Sequence, residues 1–289
     1  MSAQQAGAGD AGRPRRNLQD LGVRLLSALV MAGAALGTLR IGGHVFVIFW
    51  LLAAAAVLYE WQAMIGGGGL FRRFGIGALS LAAASAFASN AGPDYAIGIL
   101  AGGAGLVALA SDKGKRVWAA AGVFYAGVIV VALGTLRFTL AFPFAELSIA
   151  WIFALVWGTD VMAYFGGRLI GGPKLWPRVS PSKTWSGTLT GVFCGAALGW
   201  TVTLLSSVPV SDTYVVLLGL ALACLSQAGD LMESSMKRHF GIKDSSRFIP
   251  GHGGFMDRLD GFVFASAFAA LIGTLRLDAL QAPAGLFQW

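Results

Sequence analysis

Nine apolar stretches, each about as long as a bilayer is thick, constrain this sequence more than any other feature. A spanning α-helix needs about 20 predominantly apolar residues. The nine candidate spans are residues 21–39, 44–64, 74–90, 94–111, 117–135, 145–167, 186–206, 213–233 and 259–276. We therefore predict an all-α, polytopic integral membrane protein with about nine transmembrane helices.

The composition excludes the other broad classes. Of 289 residues, 56% are hydrophobic and only 12% are charged, whereas a soluble domain carries about 25% charged residues. The abundant apolar surface excludes a disordered chain. Two cysteines in a chain of this length exclude a small disulfide scaffold.

The distribution of basic residues predicts the orientation. With a cytosolic N-terminus, all but three of the 21 Lys and Arg residues fall on the cytosolic side, and only Arg40, Arg137 and Arg276 fall opposite. This asymmetry follows the positive-inside rule and does not indicate nucleic-acid binding. We divide the chain into a disordered cytosolic tail (1–16), N-terminal transmembrane helices (17–111) and a C-terminal catalytic transmembrane region (112–289).

Acidic residues at membrane depth are costly and usually functional, and Asp160 is one of them. On a helix, Asp160, Tyr164 and Arg168 share one face that runs towards the cytosol. The alternative is an internal ion pair with an interfacial Tyr and a snorkelling Arg. Glu60 lies near the cytosolic end of the second span, where it either supports a site or is plainly interfacial.

The loop at 171–187 combines cations, hydroxyls and small residues before a helix. Lys183, Ser180 and Thr184 lie near a helix start, where backbone N–H groups suit a phosphate. The alternative is a loop whose cations only set the topology.

The eighth span ends with acids followed by cations at three- and four-residue spacing, at Asp230, Glu233, Ser234, Lys237 and Arg238. Carboxylates so placed suit a hard divalent cation such as Mg²⁺, with phosphates completing its shell. The alternative is a series of i,i+4 ion pairs.

The next loop and helix start carry the remaining candidates, which are Lys243, Asp244, His252, Gly253, Gly254, Asp257, Arg258 and Asp260. Glycines allow a ligand to approach the backbone closely. His252 is either a base or ligand, or a hydrogen-bonding loop residue, and the absence of a second His or Cys nearby in the sequence argues against zinc. Carboxylates, cations and a Gly-rich loop at one membrane face predict phosphoryl or nucleotidyl transfer at the headgroup level.

These residues resemble the signature of the phosphatidate cytidylyltransferase (CDP-diacylglycerol synthase) family. The likeness covers Ser234–Arg238, Lys243-Asp244 and His252–Asp260, with upstream blocks at Asp160–Arg168 and Arg178–Thr184. The sequence departs from the family pattern at Val161-Met162, Ser186 and Ser246, which concerns the shape of the pocket rather than the reaction.

The resemblance implies that CTP and phosphatidate give CDP-diacylglycerol and pyrophosphate, with Mg²⁺, a second, monovalent cation such as K⁺, and a homodimer. It assigns catalytic roles to Asp230, Asp257, Lys237, Arg238, Lys243 and Asp160. It assigns the metal to Asp230, Asp257 and Asp260. It assigns substrate binding to Tyr164, Arg168, Ser180, Lys183, Thr184, Ser234, Asp244, His252, Gly253, Gly254 and Arg258.

The expected location is a bacterial plasma (inner) membrane, with the active site facing the cytosol. Two alternatives remain open at this point. One is a related membrane transferase that uses CTP on another lipid phosphate or on a polyprenol. The other is a transporter or lipid-binding scaffold, which would place its charges near the middle of the membrane.

Overall fold

Nine long apolar helices build the protein, as the sequence predicts. The computed structural model describes residues 18–90, 92–138 and 141–288, so the predicted tail at 1–16 lies outside the described residues. The long helices are α1 (Leu18–Ile41), α2 (Gly43–Met64), α3 (Leu70–Asn90), α4 (Pro93–Leu109), α5 (Arg116–Arg137), α6 (Phe144–Leu169), α7 (Trp185–Leu205), α8 (Asp212–His239) and α9 (Met256–Arg276).

Eight of these helices are long and apolar enough to cross a membrane, and α4 is shorter, at 17 residues. At 1.5 Å per residue, α4 spans about 26 Å, slightly less than the hydrocarbon core of about 30 Å. The prediction of an all-α polytopic membrane protein is confirmed.

A short antiparallel hairpin is a regular element that the sequence did not predict. Strands β1 (Lys174–Trp176) and β2 (Ser180–Thr184) pair Lys174 with Thr184 and Trp176 with Ser180. Prolines at 173, 177 and 181 disfavour helix in this segment. The segment predicted as a phosphate-binding loop is therefore a hairpin that leads directly into α7.

Small residues bring α6 and α7 into close contact. Gly187, Gly191, Gly195 and Gly199 repeat every four residues along α7 and face α6. A β-carbon on Gly191 would lie 2.6 Å from the carbonyl oxygen of Thr159. Because lipid offers no hydrophobic drive for helix association, such close backbone packing holds membrane helices together.

Aromatic rings form the centre of the core. Trp50 of α2 stacks against Phe153 of α6 at 5.8 Å and against Phe262 of α9 at 5.2 Å between ring centroids. The same three helices converge at one end of the bundle on the candidate site.

The three arginines predicted for the non-cytosolic side lie at the opposite end of the bundle. Arg40 and Arg137 both pair with Glu146 at the start of α6, at 3.3 and 3.4 Å. Arg276, at the end of α9, donates to the carbonyl oxygens of Gly285 and Gln288. Here a short helix, α10 (Ala282–Gly285), and the buried residues that follow it pack against the bundle.

Candidate active site

A cleft of about 410 Å³ lies among α6, α7, α8, α9 and the hairpin, within the usual size range of small-molecule sites. Half of the predicted site residues line it. They are Asp160, Tyr164, Arg168, Lys183, Thr184, Asp230, Asp257, Arg258 and Asp260. The structure thus brings together residues that lie up to 100 positions apart in the sequence.

Three carboxyl groups from three helices form an acidic wall in this cleft: Asp160, Asp230 and Asp260. Within the described residues only Asp230 has an ion-pair partner, because its Oδ2 lies 2.7 Å from Lys183 Nζ. Asp260 accepts a hydrogen bond of 2.7 Å from the backbone N–H of Gly261. The wall therefore holds more carboxyl groups than Lys183 can pair with.

Lys183 connects the hairpin to α8. Its Nζ pairs with Asp230 and also donates to Gln227 Oε1 at 3.2 Å. Next to it, Thr184 caps α7 by accepting a hydrogen bond at Oγ1 from the N–H of Gly187 at 3.1 Å. The start of α7 is thereby fixed against the cleft.

Asp257 is the centre of a hydrogen-bond network behind the acidic wall. Its Oδ1 accepts from Lys237 Nζ at 2.6 Å. Its Oδ2 accepts from the N–H of Gly254 at 2.8 Å and from both the N–H and the hydroxyl of Ser245 at 3.0 and 2.9 Å. Lys237 also pairs with the buried Glu233 at 2.7 Å. Oδ1 keeps one lone pair for a further ligand.

Glu60 reaches the same network from α2. It is fully buried and accepts from the N–H groups of Phe255 and Met256 at 2.9 and 2.7 Å. It also accepts from the hydroxyls of Ser245 and Ser246 at 3.0 and 2.6 Å. Glu60 therefore caps the start of α9 and holds the preceding loop, which excludes a merely interfacial position.

Two adjacent glycines are required by these carboxyl groups. Gly253 has φ +82°, and a β-carbon there would lie 2.7 Å from Asp257 Oδ2. A β-carbon on Gly254 would lie 2.5 Å from both oxygens of Glu60. Gly254 has no need of φ > 0, so close approach alone selects glycine at this position.

The other predicted residues do not line the cleft. Lys237, Gly254 and Ser234 support residues that do, and Ser234 Oγ donates to Asp230 Oδ1 at 3.3 Å. Lys243 and Asp244 are exposed in the loop after α8. Arg238 is also exposed and donates to the carbonyl oxygen of Ile242 at 3.0 Å.

Ser180, His252 and Gly253 also lie outside the lining. Ser180 pairs with Trp176 in the hairpin. The carbonyl oxygen of His252 accepts a 2.9 Å hydrogen bond from Arg258 Nε. Gly253 packs behind Asp257. The roles assigned to all these residues stay predictions.

Sequence reasoning missed several polar residues of the site. Gln227, Ser182 and Thr188 line the cleft, and Ser245 links Glu60 to Asp257. Gln227 lies one turn before Asp230 on the face that turns to the cleft. That spacing was the one available signal, whereas the contacts of Ser245 depend on tertiary structure.

The donor set fits a hard divalent cation. Carboxylate oxygens from Asp160, Asp230 and Asp260, together with the remaining lone pair on Asp257 Oδ1, are the ligand type that Mg²⁺ prefers. Among the described residues no group of three or more His, Cys, Asp or Glu is already close enough to hold a metal. Water or substrate phosphates would have to complete the shell of such an ion.

Comparison with known proteins places this chain in a family. The model of the cytidylyltransferase family matches residues 22–275. A phosphatidate cytidylyltransferase of Brucella suis is 38% identical over 272 residues, which cover 93% of this chain and 99% of the relative.

Shorter stretches of two other relatives are also similar. A phosphatidate cytidylyltransferase of Bacillus subtilis is 42% identical over 114 residues, covering 39% of this chain and 42% of the relative. One of Staphylococcus aureus is 46% identical over 118 residues, covering 40% and 45%. The resemblance seen in the sequence is confirmed, and the chain belongs to the cytidylyltransferase family.

Proposed function

We propose that this chain transfers the cytidylyl group of CTP to phosphatidate and releases CDP-diacylglycerol and pyrophosphate. The observation that carries the proposal is the cleft, in which an acidic wall (Asp160, Asp230 and Asp260) and the cations Lys183 and Arg258 meet at one end of an apolar helix bundle. The names of the relatives supply the substrate class.

In the proposed reaction, a phosphate oxygen of phosphatidate attacks the α-phosphorus of CTP. The bond between the α-phosphorus and the oxygen that bridges to the β-phosphorus breaks, and pyrophosphate leaves with the bond electrons. A phosphate monoester has a second pKa of about 6, so the nucleophile is mostly ionised at pH 7. The protein therefore needs to position two anions and stabilise charge, without a strong general base.

The cations of the cleft would bind the phosphates. Lys183 is held by Asp230 and Gln227, so an incoming metal or phosphate would compete directly for this ion pair. Arg168 and Arg258 are exposed side chains of the lining and remain accessible to a phosphate. Arg168 also donates to the hydroxyl of Tyr164 at 3.0 Å.

Asp230, Asp257 and Asp260 would hold Mg²⁺, with Asp160 nearby. When bound, the divalent cation would neutralise charge on the phosphates and on the leaving pyrophosphate. Lys237 keeps Asp257 oriented through its hydrogen bond of 2.6 Å. The monovalent cation and the homodimer remain proposals that rest on the family resemblance alone.

We place the cleft on the cytosolic face of a bacterial inner membrane. The supporting observation is that Arg40, Arg137 and Arg276, the only basic residues predicted on the other side, lie at the far end of the bundle. Labelling single introduced cysteines at positions 113 and 142 in intact cells tests this orientation. Labelling of position 113 by an impermeant reagent would refute it.

Purified protein provides the main test. We expect CTP, phosphatidate and Mg²⁺ to yield equal amounts of CDP-diacylglycerol and pyrophosphate. Parallel reactions with polyprenyl phosphate test the related transferase, and a faster reaction there would replace phosphatidate as substrate. No pyrophosphate with any lipid, with or without K⁺, would refute the enzyme.

A further inference from the structure

Three basic residues from separate elements lie near one another beside the cleft: Arg24 of α1, His252 of the loop before α9 and Arg258 of α9. Ser27 Oγ of α1 donates to the carbonyl oxygen of Pro250 at 3.0 Å, which fixes α1 against the loop before α9. Gly251 has φ +74°, and a β-carbon there would lie 2.7 Å from Cγ and 3.7 Å from Nε of Arg24. Arg24 therefore lies directly against the residue that precedes His252.

Arg258 completes the group from the other side. Its Nε donates to the carbonyl oxygen of His252 at 2.9 Å, and its side chain lines the cleft. The Arg24, His252 and Arg258 side chains, hereafter the basic triad, thus lie between α1 and the cleft.

The basic triad has no acidic partner. Within the described part of the chain, neither Arg24 nor Arg258 has a carboxylate within ion-pair distance. Burial lowers the pKa of the His252 imidazole, and the charges of Arg258 and Arg24 lower it further. Arg24 and Arg258 therefore place two positive charges without a carboxylate partner among the described residues beside His252, and these charges would attract an anion.

The surroundings of Arg24 match a lipid rather than a soluble anion. Arg24 lies in the first turn of the candidate span Gly22–Ile41, and the ends of a spanning helix lie near the phospholipid headgroups. Leu25, Leu26 and Leu29 follow it and are 62%, 63% and 62% exposed. A phosphate at Arg24 would leave its acyl chains beside these leucines.

We propose that the basic triad binds the phosphate of an anionic phospholipid and that Arg24 is a lipid-binding residue of this enzyme. The inference rests on the proposed function in one respect: the triad borders the cleft, so phosphatidate bound there is next to the position where it reacts. The same chemistry would also accept a non-reacting anionic phospholipid, and the experiment separates the two.

Arg24→Gln is the variant of choice, because glutamine keeps the Cβ and Cγ atoms that pack against Gly251. Loss of one charge-assisted hydrogen bond to a phosphate should raise the KM for phosphatidate about tenfold or more. The KM for CTP should not change. Arg116→Gln is the matched control, since it removes an exposed basic residue at the start of α5, away from the cleft.

A binding measurement without CTP provides a readout independent of turnover. Wild-type protein in neutral nanodiscs should bind fluorescent phosphatidate at least about tenfold more tightly than Arg24→Gln. Competition by phosphatidylglycerol in the wild type, lost in Arg24→Gln, would show a site for anionic phospholipids in general. No competition would show a site for the phosphate monoester of the substrate.

Two results would overturn the inference. One is that Arg24→Gln has the same KM for phosphatidate and the same affinity for phosphatidate as the wild type and Arg116→Gln. The other is an equal rise in the KM for CTP, which would assign Arg24 to the nucleotide. If wild-type protein makes no CDP-diacylglycerol, the proposed function fails, but the binding measurement still decides whether the basic triad holds a lipid phosphate.

Discussion

Glu60 offers the sharpest test of how the site is held together. It comes from α2, outside the motifs that carry the resemblance, yet it accepts two hydrogen bonds from the start of α9 and two from the loop before it. Replacing Glu60 by Ala would leave the N–H groups of Phe255 and Met256 buried without a partner. At about 1–3 kcal/mol for each unsatisfied group, local opening of this turn becomes easier by about 2–6 kcal/mol.

Hydrogen exchange measures that change directly. A local destabilisation of about 2 kcal/mol corresponds to roughly 30-fold faster exchange, so the amides of Phe255 and Met256 should exchange at least this much faster in Glu60→Ala. Asp257 depends on the same turn through Gly254 and Ser245. We therefore expect kcat for CDP-diacylglycerol formation to fall by about tenfold or more.

Gln62→Leu is the matched control. Gln62 is also buried on α2, but its Nε2 donates to the carbonyl oxygen of Ala119 on α5, away from the loop before α9. This variant should lose stability while the exchange of Phe255 and Met256 stays unchanged. Wild-type exchange and wild-type kcat in folded Glu60→Ala would refute the positioning role of Glu60.

Three further substitutions test the site and the fold. Asp257→Asn should lower the turnover rate by at least about a hundredfold, as expected for a lost metal ligand, and near-normal turnover in correctly inserted protein would exclude the metal assignment. Lys183→Ala should raise the KM for CTP or phosphatidate in initial-rate assays. A change in thermal stability alone would show that Lys183 and its hairpin have only a structural role. Gly191→Leu should lower the melting temperature by several degrees, because its side chain would collide with Thr159. Gly98→Leu, whose side chain would point into open space, should leave the melting temperature unchanged. Equal melting temperatures for the two variants would contradict close packing of α6 and α7.

The positions of the helices were largely predictable, because a helix that spans a bilayer needs a long apolar run. Such runs are visible in the hydropathy of the sequence. At the end of α8 the apolar run stops at residue 233, and the helical spacing of the polar residues up to Arg238 predicts the turns that continue to His239. The last turns are polar and give no hydropathy signal. They stay helical because Lys237 pairs with Glu233 one turn earlier and with Asp257 on α9.

The site was predictable where the chemistry repeats at helical spacing, as for Asp160, Tyr164 and Arg168 on α6. The site was not predictable where it depends on contacts between residues far apart in the sequence. Glu60 was a candidate only from its place near the cytosolic end of the second span, and its partners, which lie more than 180 residues away, had no signal in the sequence. The departure at Ser246 has a physical reason only in three dimensions, because its hydroxyl donates to Glu60 at 2.6 Å.

The charge balance at this end of the bundle explains why an acidic site can exist where basic residues set the topology. Six carboxyl groups lie in or behind the cleft: Glu60, Asp160, Asp230, Glu233, Asp257 and Asp260. Within the described residues, only Lys183 and Lys237 form ion pairs with any of them. The first turn of α9 absorbs the charge of Glu60 through its N–H groups. The carboxyl groups of Asp160 and Asp260 are left without a paired cation in the described part of the chain and lie beside Asp230 in the wall, so a cation bound there, and the phosphates it brings, would complete the site.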